Sequence, residues 1–356
     1  MDDRATRPLA HLDLDAFFAA VEELECPELR SKPLVVGGDP HGRGVVATAN
    51  YVARRFGIHS AMSCAEARRR CPHAVFVRPR HKTYSAYSKE VWSAVRQVVP
   101  TVERTGLDEG YLDLAEVARD FGEARIVAEA VQTAVRGATS LACSLGVATS
   151  KVVAKIASDH RKPGGLVVVL PGREADFLAS FEIRKLPGVG PRAEARLRAG
   201  GIETIGALAA LEDERLRQLL PGKVGGLLRD RARGIDPRGL ELQTQRVSIS
   251  QEETFERDVS DVEQLRAELR RMSAALAEHL VTKGETARTV TTKVRYPDFA
   301  IRSRSTSLPV GTDDADRIAE LACALLDRAL ADRPGALRLV GVGLSGLEEH
   351  RQLTLV

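Results

Sequence analysis

The sequence predicts a multidomain α+β protein, and three observations carry that reading. A length of 356 residues exceeds one ordinary hydrophobic core. Strand-like and helix-like stretches interleave over residues 9–170, glycine-punctuated helical sequence follows, and the last hundred residues pair strands with two long amphipathic helices. Hydrophobic residues make up 44% and charged residues 28%, the balance of a globular chain.

Composition also excludes classes. The five cysteines, Cys26, Cys64, Cys71, Cys143 and Cys323, form no C-x-x-C pair. They read as reduced core residues of a cytoplasmic protein rather than disulfides or zinc ligands. The longest stretch without Asp, Glu, Lys or Arg is 137–150, too short to span a bilayer, so no membrane role is expected. Net charge is only +3, so affinity for nucleic acid must come from local patches.

In chain order, His11–Phe18 alternates as a strand, with Leu12, Leu14 and Ala16 on one face and His11, Asp13 and Asp15 on the other. A short helix over 19–25 ends at Cys26-Pro27, and strands follow at 32–38 and 44–48. A helix from Asn50 stops at Gly57. Tyr51 and Arg54 share one face of it and together suit a phosphate grip. Ser63-Cys64-Ala65-Glu66 is a capping box for the next helix. Helical periodicity over 83–98 makes Trp92 a core residue. Helices at 122–137 and 151–160 flank a buried strand at 141–148, and Lys162 lies in a glycine-rich turn before a strand at 166–170.

The chemistry centres on Thr105-Gly106-Leu107-Asp108-Glu109-Gly110. An Asp-Glu pair alone is most often a solvated turn. Here glycines on both sides suggest a tight hairpin with unusual backbone angles, able to aim both carboxylates one way. Beside the His11–Asp15 strand it would gather three or four acids at one spot. Carboxylates without His or Cys are hard oxygen ligands suited to Mg2+, or Mn2+, bound with a substrate's phosphates. Such a set fits a site of two ions roughly 3.5–4 Å apart.

Beyond residue 171, Leu186-Pro187-Gly188-Val189-Gly190-Pro191 reads as a helix-hairpin-helix. Amides at Gly188 and Gly190 would hold a DNA backbone without reading its sequence. A linker follows at 236–246. Lys293 and Arg295 share a face of one strand and Arg302 and Arg304 a face of the next; a turn at Pro297-Asp298 would put all four on one DNA-binding surface.

Asp13-Leu14-Asp15-Ala16-Phe17-Phe18, Asn50-Tyr51-Val52-Ala53-Arg54, Leu107–Asp113, Lys151-x3-Lys155-Ile156-Ala157-Ser158-Asp159 with Lys162-Pro163, the Leu186–Gly190 hairpin and Arg302–Ser305 together resemble the Y-family DNA polymerases of the DinB type, over nearly the whole chain. The resemblance implies a right-hand polymerase. The palm would take 1–16 and 80–170, the fingers 17–79, the helical thumb 171–235, the little finger 247–346, and a tail 347–356. It implies a monomer that extends primer-template DNA with dNTPs, at low fidelity and past damaged bases. Asp13, Asp108 and Glu109 would be the catalytic acids, binding two Mg2+ with the Leu14 carbonyl. Phe17, Phe18, Tyr51, Arg54 and Lys162 would contact the nucleotide, Phe18 as the steric gate against ribose. Gln352, Leu353 and Leu355 resemble a sliding-clamp-binding peptide. Gly106, Gly110 and Val52 stand where the family often has Ser, Ala and Glu, and the added glycines are expected to loosen the acidic hairpin. Two rivals remain at this stage: a nucleotide cyclase on a palm fold, and a non-catalytic DNA-binding protein. The first has no use for the Gly-x-Gly hairpin, and the intact acids count against the second.

Overall fold

The computed structural model describes residues 7–242 and 246–349. Two compact units divide the chain, the first ending at Leu242. The first unit is built on a five-stranded sheet of order β5-β6-β1-β7-β8, formed by β1 (Leu9–Leu14), β5 (Val102–Arg104), β6 (Glu109–Asp113), β7 (Cys143–Ala148) and β8 (Leu166–Val168). A three-stranded sheet of order β3-β2-β4 stands apart from it, made of β2 (Leu34–Gly37), β3 (Val46–Ala49) and β4 (Val75–Val77). Their helices are α1 (Phe17–Glu25), α2 (Tyr51–Arg54), α3 (Cys64–Arg70), α4 (His81–Val98), α5 (Phe121–Thr139) and α6 (Lys151–His160).

Alternation decides what each face of the large sheet does. Leu12 and Leu14 of β1, with Leu112 and Leu145, are buried in one core with Trp92 and Val95 of α4 and Ala128 and Val131 of α5. The opposite face of β1 carries His11 and Asp13 and is covered by α6. That helix lies so close that a Cβ on Gly146 of β7 would stand 2.1 Å from the Ala154 carbonyl oxygen, which only glycine permits. The approach brings the polar side chains of α6 to the acidic end of β1.

After residue 170 come five short helices: α7 (Glu174–Ala179), α8 (Pro191–Ala199), α9 (Ile205–Ala209), α10 (Asp213–Leu219) and α11 (Lys223–Ala232). Leucine and isoleucine side chains join them into one core, including Leu178, Leu197, Ile205, Leu216 and Leu228. The second unit is a four-stranded antiparallel sheet of order β11-β10-β12-β9, with β9 (Ser248–Val259), β10 (Glu285–Arg295), β11 (Ile301–Thr312) and β12 (Leu337–Glu349). One face is packed by α12 (Val262–Lys283) and α13 (Ala315–Asp332).

Several expectations change. The first strand stops at Leu14 rather than Phe18, because Ala16 takes a left-handed φ of 49° and turns the chain into α1. The element before the Gly-x-Gly turn is a single 3-10 turn, Ile183–Lys185, not a helix. Gly188 does need glycine, at φ 102°, whereas Gly190 is the ordinary N-cap of α8. Half of the linker is no linker: the Glu241 amide donates to Glu103 at 2.7 Å, and Arg238 grips a buried Asp236 carboxylate, so 236–242 lies against the first unit. The supposed tail begins inside β12, where Leu347 pairs with Ala287.

The four cations of the second unit do not share a surface. Lys293 pairs with Ser303 and Arg295 with Ile301, while Arg302 and Arg304 pair with Val294 and Thr292 on the helix-covered side. Nor are they free of acids, since Lys293 bonds Glu252 and Arg304 bonds Asp332 of α13.

Candidate active site

The acidic residues meet through backbone register. Asp13 lies opposite Glu109 of β6 and Ser144 of β7, and the Leu14 amide donates to the Asp108 carbonyl at 2.9 Å. Asp13, Asp108 and Glu109 therefore stand at one end of the two central strands. The turn before Glu109 is held by the Thr105 and Gly106 amides, which both donate to the Glu109 carbonyl. Neither Gly106 nor Gly110 has a positive φ. Gly110 is instead a matter of space, since a Cβ there would lie 2.6 Å from the Glu103 carbonyl oxygen and 2.7 Å from the Trp92 ring. The hairpin is packed, not loosened.

Two lysines from one helix and its following turn partner the acids. Lys162 bonds Asp13 at 2.7 Å and Asp159 at 2.8 Å, and Lys155 bonds Glu109 at 2.5 Å. Burial raises the Asp13 carboxyl to about 6 despite Lys162, with Asp159 and Asp108 adding repulsion. Burial also raises Asp108, and the neighbouring Glu109 adds to it. Lys162 is opposed by burial, but Asp13 and Asp159 outweigh this and hold its proton more firmly than usual.

Buried His11 completes the group. Ser158 donates its only hydroxyl proton to the Lys155 carbonyl, so it accepts from His11 Nδ1 at 2.8 Å. That assigns the tautomer and leaves Nε2 as a bare lone pair, 3.6 Å from Glu109, with no hydrogen-bond partner among the described residues. Burial, then Lys155 and Lys162, hold the imidazole well below its ordinary value, so it is neutral.

A divalent cation bound with phosphates calls for hard oxygen donors. Three hard carboxylates, two of them raised by burial and by neighbouring carboxylates, fit such an ion chemically. Among the described residues, however, no three acids, histidines or cysteines are drawn together as a metal cluster. The ammonium groups of Lys155 and Lys162 stand beside the carboxylates instead.

The expected nucleotide contacts divide. The Arg54 guanidinium lies 4.9 Å over the Tyr51 ring, so these two do form one face. The Tyr51 hydroxyl donates to Asp15 at 3.3 Å. Its phenol is pushed up to about 12 by burial first and Asp15 second, so it stays a donor. Phe18 is half-buried and stacked on Tyr84 at 4.2 Å. Tyr84 is fixed in turn by the buried Glu22 carboxylate, which Arg80 also grips. Phe17 is only 2% exposed and its side chain belongs to the core. Gln352, Leu353 and Leu355 lie outside the described residues. Sequence reasoning placed Asp15 on the acidic face without its role, and missed Ser144 and the role of Lys155. Only the i, i+4 spacing of Lys151, Lys155 and Asp159 hinted at a polar face of α6.

Acids at the end of central antiparallel strands, with a phenol, a guanidinium and an ammonium nearby, define a class of enzyme that handles phosphates. The chain matches the impB/mucB/samB family over residues 12–159 and its C-terminal domain over 246–355, with the thumb domain of DNA polymerase-iota at 184–236. It is 43% identical over 347 residues to a DNA polymerase IV from Halorhodospira halophila, covering 97% of each chain. It superposes on a Y-family DNA polymerase chimera, Dbh-Dpo4(243-245)-Dbh, with TM-score 0.87 at 26% identity, covering 96% of this chain and 99% of that one. An insertion ternary complex of Dbh DNA polymerase gives TM-score 0.67 at 26% identity, with 95% and 98% covered. The chain belongs to the impB/mucB/samB family, that is, to the Y-family DNA polymerases. Its curated relatives carry the particular name DNA polymerase IV, and its fold is the α+β right-hand polymerase fold.

Proposed function

We propose that this chain extends a primer 3′ end against a DNA template by phosphoryl transfer at the Asp13–Asp108–Glu109 end of its large sheet. The chain is a low-fidelity DNA-directed DNA polymerase of the translesion type, as its family membership along nearly the full length establishes. The observation that carries the site is the register placing Asp13 opposite Glu109, with Asp108 bonded to the Leu14 amide. The palm is 1–16 and 80–170, the fingers 17–79, the thumb 171–235 and the little finger from 247.

Asp13, Asp108, Glu109 and the Leu14 carbonyl would hold two Mg2+, with Mn2+ as an alternative. Bound there, the cations supply charge neutralisation at the attacking and leaving oxygens. The chain's own groups do the rest. Lys162 exchanges Asp13 for a phosphate oxygen, Arg54 offers its planar fork to the triphosphate, and Tyr51 turns its hydroxyl toward it. Phe18, backed by Tyr84, closes the space a ribose 2′-hydroxyl would need. Gly188 and Gly190 present backbone amides to the duplex. Primer-template DNA and dNTP are the partners, in line with the neighbour described as an insertion ternary complex. Gln352, Leu353 and Leu355 would dock on a sliding clamp. No helix among the described residues is long and apolar enough to cross a membrane.

Primer extension with Mg2+ and single dNTPs tests the reading. Asp108→Ala should abolish extension while DNA affinity stays within about twofold, because phosphate contacts elsewhere hold the duplex. Undiminished extension by that variant refutes the site. The same assay with ribonucleotides on Phe18→Leu, and with a clamp on a chain ending at Arg351, tests the gate and the tail.

A further inference from the structure

We propose that Asp15 is a positioning residue for the nucleotide grip, acting through the turn that carries Lys162. The proposal rests on reading Lys162 as a triphosphate contact. Asp15 is 5% exposed, sits two residues beyond Asp13, and among the described residues bonds no ammonium or guanidinium. Its carboxylate instead joins three separate parts of the fold. Oδ2 accepts from the Gly164 amide at 2.7 Å, in the turn two residues after Lys162. Oδ1 accepts from the Ser144 hydroxyl of β7 at 2.9 Å and from the Tyr51 hydroxyl of α2 at 3.3 Å. Ser144 also accepts from the Gly165 amide at 3.3 Å, so both amides after Lys162-Pro163 end on this one network.

A buried carboxylate near an incoming triphosphate is unfavourable unless its bonds are needed. The Gly164 amide supplies the need. It points inward from an exposed turn, and without Asp15 it would have no partner in that direction. Fixing Gly164 fixes the chain from which the Lys162 side chain reaches Asp13. The Tyr51 hydroxyl has one proton, and it goes to Asp15 through the longest of the three bonds. That proton is the easiest to redirect to a phosphate oxygen, which leaves the Gly164 and Ser144 bonds to hold the turn. Asp15 thus fixes one grip and parks the other.

Substitution separates this role from simple structural support. Asp15→Ala leaves the Gly164 amide unpaired and should raise KM for dNTP about tenfold, with kcat and DNA affinity within about twofold. Asp15→Asn should restore most of the lost KM, because its amide oxygen can accept from Gly164 while its NH2 donates to the Ser144 and Tyr51 hydroxyls. In a Lys162→Ala background, Asp15→Ala should add less than about twofold more, as expected for groups acting as one unit. Independent, multiplying effects overturn the proposal, as does a fall in kcat with KM unchanged. Should Asp15→Ala fail to fold, Ser144→Ala takes its place. It removes a bond to Asp15 without touching Lys162 or Tyr51, and an unchanged dNTP KM in that variant also overturns the proposal. If Lys162→Ala itself leaves the dNTP KM alone, the triphosphate reading fails instead.

Discussion

Asp13 shows what burial does to a single group at this site. Its carboxyl, ordinarily near 3.8, sits at about 6, chiefly through burial. The folded chain therefore binds that proton more tightly than the unfolded chain. Asp13 favours folding fully below about pH 3.8, and this contribution is lost as pH rises through about 6. The cost above that window is on the order of 3 kcal/mol. Asp13→Asn should consequently melt several degrees higher than the parent at pH 8 in a chelator, while losing extension activity. Lys162 keeps Asp159 as a partner in that variant. Thermal melts at pH 8 and pH 4.5 are the check, since the gain should shrink toward zero at the lower pH; an equal gain at both would remove burial of the charge as its cause. The position of Asp13 was legible in the sequence, because an acid alternating with buried leucines needs a partner. The partner itself was not, since Lys162 arrives from a turn 149 residues later, and only the close seat of α6 on Gly146 brings that end of the helix to β1.

At the scale of the element, the acidic hairpin is a piece of packing as much as a turn. Ser88 and Trp92, one helical turn apart on α4, both donate to the Leu107 carbonyl, at 2.5 and 3.2 Å, directly before Asp108. The Trp92 ring fills the room a side chain at position 110 would take. A glycine pair that reads as looseness in sequence is thus half of a steric match whose other half lies in a different element. Gly110→Ala moves toward the residue common in the family, yet here it should destabilise the chain by about 1–3 kcal/mol, the usual result of overpacking. Urea denaturation of the two proteins measures it. A neutral result would mean the Trp92 ring yields, and the hairpin is less firmly held than these contacts imply. Register set the limit of sequence reading in the second unit as well. Helices α12 and α13 and the strands paired with them were visible from periodicity, but placing the turn at Pro297-Asp298 set the pairing one residue off. The chain turns over Tyr296–Ala300, where the Tyr296 amide donates to the Ala300 carbonyl and Phe299 takes φ 66°. One residue of register exchanges the faces of a strand, and that put Arg302 and Arg304 on the helix side.

For the whole molecule, a net charge of +3 means that DNA is held by local arrangement. The second unit offers one open sheet face, opposite its two helices. Along it Lys293 and Arg295 stand among small hydroxyl residues: Ser303 faces Lys293, Ser305 faces Thr291 and Ser307 faces Thr289. The two Thr–Ser pairs are hydrogen-bonded at 2.9 and 2.8 Å, so the face is flat and polar. In β12 it is floored by Gly341 and Gly343, which stand opposite Lys293 and Thr291. A duplex backbone can approach such a surface closely, and Lys293 would leave Glu252 for a phosphate. Arg304, bound to Asp332 on the covered side, would contribute little. Replacing both Lys293 and Arg295 by Ala should reduce the slope of log affinity against log salt by about two, since each phosphate contact contributes about 0.9. Arg304→Ala should leave the slope within about 0.5 of the parent's. Duplex binding measured between 50 and 200 mM salt, the range over which such contacts change affinity by orders of magnitude, decides between the faces. A slope that responds to Arg304 and ignores Lys293 and Arg295 would place the DNA along the β11 edge rather than across the open sheet.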